Sequence, residues 1–443
     1  MRMVLPIDFE HKISALLGEN QHNSFRNALL GDTPVSIRIN PFKHRDFISS
    51  ALNHTGNAVN WCKNGFYLDQ RLNFTFDPLF HAGCYYVQEA ASMFLEQVID
   101  QFISGPVRML DLWSAPGGKS THLRSLLPEG SLLVSNEIIR NRSNILAENL
   151  TKWGHPDIIV TNNEPSDFRQ SILFDAVLAD VPCSGEGMFR KDPEAINEWS
   201  LENVMNCQQR QRQIITDIWP AIKPGGILIY STCTYNLSEN EENIEWIQKS
   251  LDGIPQEVTT PSEWNITTQI ASYDFPVYRF FPHKTKGEGF FLAVIRKPDD
   301  DEYNENRNPK ANRKDKKANR NKTVSTKPIP ESVKEWILKP ENYNIHTDNE
   351  QLYAFSNAFE SELQQIQHNL RIIQAGTPVG NRKGNEIKPH HALTMRNLLN
   401  RNIFPTAELT WELSISYLRK EIFVLPPETP RGIGLVTSKT IPL

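Results

Sequence analysis

A chain of 443 residues exceeds what one ordinary hydrophobic core organises, so two or three domains are expected. Its 47 Lys and Arg against 52 Asp and Glu leave a net charge of -5, which excludes a globally basic polyanion binder while leaving room for a local basic groove. Five cysteines without a CxxC pair argue against a disulfide framework and against a structural zinc site, and they suit a reducing compartment. No basic start is followed by an apolar segment, and no apolar run approaches the ~18 residues of a membrane span, so a cytoplasmic protein with no membrane partner is expected.

Up to about residue 80, short apolar runs alternate with Pro and Gly, as in a small α+β domain, and VSIRIN (Val35 to Asn40) is the clearest strand. Arg38 shares a face with Asn40, which leaves open an exposed charge or a substrate contact. Gly83 to Val98 has the apolar spacing of one helix, with Met93 and Phe94 in the core. Val107 to Ser114 then reads as a strand carrying Asp111 to a sheet edge. It runs into a turn and helix through Ala115, Pro116, Gly117, Gly118 and Lys119. A phosphate loop would need glycine where Trp113 stands, and GxGxxG is absent, so the turn suits a cofactor lacking a pyrophosphate.

Leu132 to Ser135 is the next strand, and Glu137 after it is placed to take both hydroxyls of a ribose, or to start a helix. Arg140 to Trp153 is that helix. Asp157 to Thr161 is a third strand whose polar end, Asn162, Asn163 and Glu164, suits either an adenine edge or an ordinary loop. Ile172 to Ala179 is apolar enough for a central parallel strand, and it delivers Asp180 and Cys183 to the carboxyl edge where α/β enzymes bind ligands. Glu198 to Ile222 reads as one or two helices stopped by Pro224, Gly225 and Gly226. Ile227 to Ser231 is a strand with Cys233 at its end, followed by a Ser238 and Glu241 capping box. Near the closing strand, Phe290 to Ile295, the cations Arg279, His283, Lys284 and Lys286 suit phosphate contacts or a solvated hairpin. Residues 298 to 330 read as a basic disordered linker, with nine Lys or Arg and one acid between Arg307 and Lys327. Residues 331 to 443 form a further small domain with strand-like runs EIFVL and GIGLV.

Two thiols near an acid fit attack on an electron-poor ring. Carbon 5 of a pyrimidine is a poor nucleophile until a thiolate adds at carbon 6, and a carboxylate at ring nitrogen 3 and the exocyclic amine would orient cytosine. A base within a duplex would first have to be flipped out. The residues alone do not order the two thiols.

The pair DVPCSGEGMFRK and STCTYN, supported in order by APGGKST, SNE and GEGFF, resembles the RNA cytosine-5 methyltransferases of the NOL1/NOP2/Sun family. It is most similar to the bacterial 16S ribosomal RNA branch with an extra carboxyl-terminal domain. The resemblance implies a class I (Rossmann-like) methyltransferase core at 101 to 297, a small α+β amino-terminal domain at 1 to 100, and a PUA-like RNA-binding domain at 331 to 443. It implies Cys233 as the nucleophile, Cys183 as the thiol that assists release, and Asp180 as the cytosine-orienting acid. It also implies S-adenosylmethionine as cofactor, held by Asp111, Ala115, Pro116, Gly117, Gly118, Lys119, Glu137, Arg142, Glu164 and Asp180, and no metal. RNA, as 16S ribosomal RNA or a small-subunit assembly intermediate, is the implied partner, with no obligate protein partner.

Three departures stand out. Trp113 and Ser114 replace the family's Cys and Ala, Glu164 replaces an Asp, and the chain stops at TIPL where relatives continue, which leaves a truncated final domain open. Transfer RNA as substrate, or a noncatalytic RNA-binding assembly factor, are the alternatives. An amino-nitrogen methyltransferase is disfavoured because Cys183 stands where that chemistry uses an aromatic.

Overall fold

The computed structural model describes residues 4–43, 55–299 and 329–443, apart from 349, 385, 426 and 428. The basic stretch expected to link two domains lies almost wholly outside the described residues. Two helices, Ile7–Leu17 and Glu19–Leu29, precede an antiparallel sheet of β1 (Val35–Ile39), β2 (Thr55–Ala58), β3 (Gly65–Leu68) and β4 (Tyr85–Val87), in the order β2-β3-β1-β4. The stretch expected as one helix from Gly83 is therefore divided. Tyr85 to Val87 pair with β1, a 3-10 turn covers Ala91–Phe94, and the helix proper is Leu95–Phe102. Strand pairing overrides the helical period here. Met93 and Phe94 are core residues, as their apolar character suggested.

The central sheet contains β5 (Arg108–Asp111), β6 (Leu132–Asn136), β7 (Ile158–Thr161), β8 (Phe174–Asp180), β9 (Ile222–Thr232), β10 (Ile254–Gln256), β11 (Tyr278–Phe280) and β12 (Phe290–Arg296). Its order is β10-β12-β9-β8-β5-β6-β7, with β5 to β9 parallel and β12 antiparallel beside β9. From β5 the chain winds outward through β6 and β7, then returns to β8 and winds the other way. The reversal leaves a crevice at the carboxyl ends of β5 and β8, the place where open α/β sheets bind ligands.

Alternation divides the core between two faces. Met109, Leu133, Ala176, Leu178, Ile227 and Ile229 lie in one apolar cluster, and Leu110, Val134, Val177, Ala179, Leu228 and Tyr230 in the other. Period-two side chains buried on both faces explain why these strands read as continuous apolar runs. The amino-terminal domain adds Trp61, Met93 and Phe94 to the first cluster, while Phe355, Phe359, Leu363 and Ile366 join the second from beyond residue 330.

The carboxyl-terminal region contains β13 (Tyr343–Asp348), β14 (Gln351–Ser356), β15 (Ile372–Ala375), β16 (Thr377–Lys383), β17 (Glu386–Pro389), β18 (Thr406–Glu408), β19 (Leu435–Ser438) and β20 (Ile441–Pro442). One four-stranded sheet runs β13-β14-β16-β17, and β18, β19 and β20 form a small one. β15 leaves both and pairs antiparallel with β7, capping the open edge of the central sheet. Of the two strand-like runs expected here, GIGLV leads into β19, whereas EIFVL forms no strand: Ile422 and Val424 are exposed and pair with no strand among the described residues. No helix among the described residues is long and apolar enough to cross a membrane.

Candidate active site

Asp111 ends β5 and Asp180 ends β8, on either side of the crevice. Ser120 donates to Asp111 Oδ2 at 2.5 Å, while Asp111 Oδ1 is buried without a hydrogen-bond partner among the described residues. Burial pushes the Asp111 carboxyl up to about 7, with the Ser120 hydroxyl opposing and the Asp180 charge adding to the rise. Between the ordinary carboxylate value of about 4 and that raised value, the folded protein holds the extra proton, so stability falls as pH rises through the window. Asp111→Asn removes the titration. Its thermal midpoint relative to wild type is expected to rise between about pH 5 and about pH 8. A relative midpoint that falls instead would show the carboxylate to be stabilised where it stands.

The turn after β5 is shaped by Gly117, whose φ of +114° is left-handed, and it feeds the helix Gly118–Leu126. Arg142 donates to the carbonyl of Ala115 and Asn149 to that of Pro116, so both turn carbonyls are held from the helix Arg140–Trp153. Glu137 is buried just past β6. Its Oε1 accepts the Ile139 amide at 3.0 Å, and its Oε2 has no hydrogen-bond partner among the described residues, with Arg142 at 3.7 Å. A buried carboxylate oxygen left free fits a ligand hydroxyl.

The other polar strand ends have structural tasks. Asn162 donates to the carbonyls of Glu137 and Ile138, and Asn163 exchanges hydrogen bonds with the Arg371 backbone. Glu164 is exposed at the start of a 3-10 turn. Trp113 is half-buried and packs against the second apolar cluster.

Lys119 reaches across the crevice and donates to Asp180 Oδ2 at 2.9 Å, and Ser231 at the end of β9 donates to Oδ1 at 2.6 Å. Burial works against the Lys119 ammonium, but Asp180 more than offsets it and its pKa is raised. Beyond Asp180, the two cysteines meet: Cys183 Sγ and Cys233 Sγ are 3.1 Å apart, both partly exposed. Their loops touch through backbone as well. The Gly187 amide donates to the Cys233 carbonyl at 2.7 Å, and a Cβ at Gly187 would stand 2.5 Å from that oxygen, so only glycine fits. The hydrogen bond with Cys233, with burial and the Cys233 and Glu239 charges adding, pushes the Cys183 thiol well up, so Cys183 keeps its proton.

Several expected contacts are replaced. Arg38 is neither exposed nor free for substrate: it is 1% exposed, donates to Gln88, Gly118 and Thr121, and stacks on Trp153. It ties the amino-terminal sheet to the cofactor-turn helix. Asn40 likewise holds the carbonyls of Gly83 and Trp153. Arg279 is not a phosphate contact, being buried against Glu241 and donating to the Tyr235 carbonyl at 2.6 Å. That same pair removes Glu241 from the capping box expected with Ser238. His283 is half-buried with both ring nitrogens unpaired among the described residues, and burial with Lys284 lowers it to about 4. Lys284 donates to Thr267, and Lys286 lies over the Tyr67 ring.

A doubly wound sheet with one antiparallel strand beside its last parallel one, a glycine turn without a phosphate loop, and an acid after the second strand define a class I methyltransferase core. Residues 104–296 match the family model of 16S rRNA methyltransferase RsmB/F, and residues 5–90 that of the N-terminal domain of 16S rRNA methyltransferase RsmF. Over these two stretches the chain is similar to the RsmB/F and RsmF type of 16S rRNA methyltransferase, within the NOL1/NOP2/Sun group.

Among curated relatives, "Ribosomal RNA small subunit methyltransferase F" of Pectobacterium atrosepticum is 34% identical over 247 residues, covering 54% of this chain and 50% of that one. The protein of the same name from Escherichia coli O9:H4 is 31% identical over 278 residues, covering 59% and 57%. The matched stretch thus spans about half the length of these relatives. A methyltransferase homologue protein from Pyrococcus horikoshii superposes with a TM-score of 0.58 at 26% identity, covering 67% of this chain and 96% of that one. NSun6 from Pyrococcus horikoshii, solved with SFG, gives 0.58 at 19%, covering 68% and 100%, a likeness of fold.

Proposed function

We propose that this protein transfers a methyl group from S-adenosylmethionine to carbon 5 of cytosine in RNA, with 16S ribosomal RNA as substrate. The observation that carries the proposal is the pair of thiols, 3.1 Å apart, beside an acid that is already oriented by Lys119 and Ser231. The cofactor supplies an electrophilic methyl. Glu137 Oε2 fits a ribose hydroxyl, and the turn from Ala115 to Lys119, held open by Gly117 and anchored by Arg142, lets backbone approach a ligand without a phosphate. Glu137→Ala is expected to weaken S-adenosylmethionine binding roughly 10- to 100-fold by calorimetry, the worth of charge-assisted bonds to hydroxyls.

In the reaction Cys233 adds through its sulfur to carbon 6, and carbon 5 gains the electron density to take the methyl. Asp180 accepts from the exocyclic amine, and a proton shared between its carboxyl and ring nitrogen 3 offsets the negative charge that builds there. At release carbon 5 gives its hydrogen as a proton to water, the electron pair of that bond restores the 5,6 double bond, and the bond from carbon 6 to Cys233 breaks. Cys183, which keeps its proton in the resting pair, is suited to donate it to the leaving sulfur. A target base inside a duplex must be flipped out to reach two partly exposed sulfurs. The carboxyl-terminal sheets serve as a PUA-like RNA-binding unit, and the reducing cytoplasm is the compartment in which both thiols stay free.

Bisulfite sequencing of ribosomal and transfer RNA from cells with and without the gene tests this reading. Loss of a 16S signal is the expected result. Loss confined to transfer RNA would reassign the substrate, and unchanged signals in both pools would refute the proposal.

A further inference from the structure

We infer that Glu186 and Glu239 are positioning residues, buried carboxylates that lock the two thiol loops in register, a role that rests on the two-thiol reading above. Glu186 belongs to the Cys183 loop, yet its Oε2 accepts the backbone amides of Tyr235 at 2.7 Å and Asn236 at 3.0 Å, both in the Cys233 loop. Glu239 belongs to the Cys233 loop, yet its Oε2 accepts the backbone amide of Ser184 at 2.9 Å, next to Cys183. Each acid thus holds the other thiol's loop.

Asn236 joins the two, donating to Glu186 Oε1 at 3.0 Å and to Glu239 Oε1 at 2.7 Å. Ser184 and Thr234, the residues that follow the two cysteines, meet through their hydroxyls at 3.1 Å. Outer donors complete the set: Trp199 to Glu186, and Gln211 to both Glu239 and the Pro182 carbonyl.

Glu186 and Glu239 are 1% and 0% exposed, and neither has an ion-pair partner among the described residues. A carboxylate so placed loses several kcal/mol of hydration, and without a cation it must be held by hydrogen bonds alone. Simple core filling would be met more cheaply by apolar side chains. The reciprocal pattern instead fixes two adjacent sulfurs, where a shift of ~1 Å is enough to cost about 100-fold in rate.

The experiment reads sulfur proximity without RNA. Diamide takes two electrons and two protons from two thiols, forming one S–S bond and the hydrazine, so its rate at Cys183 and Cys233 reports their approach. Peptide mapping of the full-length protein follows that bond in wild type, Glu186→Gln and Glu239→Gln. A glutamine cannot accept at its amide nitrogen, so either the donors on Oε2, backbone amides among them, or the Asn236 side-chain donor on Oε1 loses its acceptor.

Wild type is expected to form the Cys183–Cys233 bond. The two variants should form it at least about tenfold more slowly, with S-adenosylmethionine affinity unchanged and adduct formation on 5-azacytidine RNA slowed in proportion. Should a glutamine variant not fold, Thr234→Val leaves both acids in place, removes the hydroxyl link to Ser184 and one acceptor of Asn236, and is expected to slow the bond about threefold. Wild-type rates in the folded variants, or no such bond in wild type, overturn the positioning role. A wild-type disulfide slowed by both substitutions, with no adduct on RNA in any protein, upholds the brace and refutes the methyltransferase reading instead.

Discussion

Cys233→Ala protein incubated with 5-azacytidine-containing RNA is expected to form no covalent adduct, while Cys183→Ala protein accumulates one on ordinary cytosine RNA. The two sulfurs are close enough to be confused, at 3.1 Å, but their settings differ. The motifs order them by resemblance, STCTYN carrying the nucleophile and DVPCSG the assisting thiol, and the hydrogen bond to Cys233 with burial pushes the Cys183 thiol up, which agrees with that order. A thiol that keeps its proton is a poor nucleophile and a useful proton carrier. Removing the attacking sulfur should lower methyl transfer by about 10³-fold or more. Removing the assisting thiol should lower turnover by ~10²- to 10⁴-fold while leaving the first addition intact, so protein migrates with RNA on a denaturing gel. Adduct on both variants, or on neither, would overturn this division of labour.

How far the chain could be read without its structure depended on whether a residue's task was local. Strand ends announce themselves through apolar runs, so Asp111, Glu137, Asp180, Cys183 and Cys233 were all placed at one sheet edge by pattern alone. That edge is where the structure brings Asp111, Lys119, Asp180 and both sulfurs together. Tasks set by partners distant in sequence were illegible. Arg38 reads as an exposed charge or a substrate contact, and Arg279 as a phosphate contact or part of a solvated hairpin, because nothing near them in the chain shows that Gln88, Thr121 and Glu241 surround them. For the same reason nothing near Glu186 and Glu239 in the chain shows which amides they accept, although an acid in each cysteine loop is a usable signal. The segment beyond residue 330 read as a separate unit. β15 and the helix Glu360–Asn369 instead share the sheet and second core of the preceding domain, through a pairing over 200 residues away in sequence.

Arg279→Met is expected to destabilise the protein by about 3–5 kcal/mol, the cost of stranding one member of a buried ion pair. Arg279 is 2% exposed and Glu241 fully buried, with a hydrogen bond from Arg279 Nε to Glu241 Oε1 at 2.6 Å. The arginine also caps the Tyr235 carbonyl and lies over Phe281 and Phe291, so the substitution strips a charge, a carbonyl and two rings of their neighbour. Urea denaturation followed by tryptophan fluorescence should show a lower midpoint at unchanged slope. The double variant Arg279→Met, Glu241→Leu should regain much of the loss, since replacing both partners leaves no uncompensated charge. Because Tyr235 lies two residues past Cys233, the single variant should also slow adduct formation, and the double variant should not restore that rate, the carbonyl contact being absent in both. An arginine serving RNA phosphates would give the opposite pattern, with the unfolding midpoint unmoved and RNA affinity weakened in a salt-dependent way.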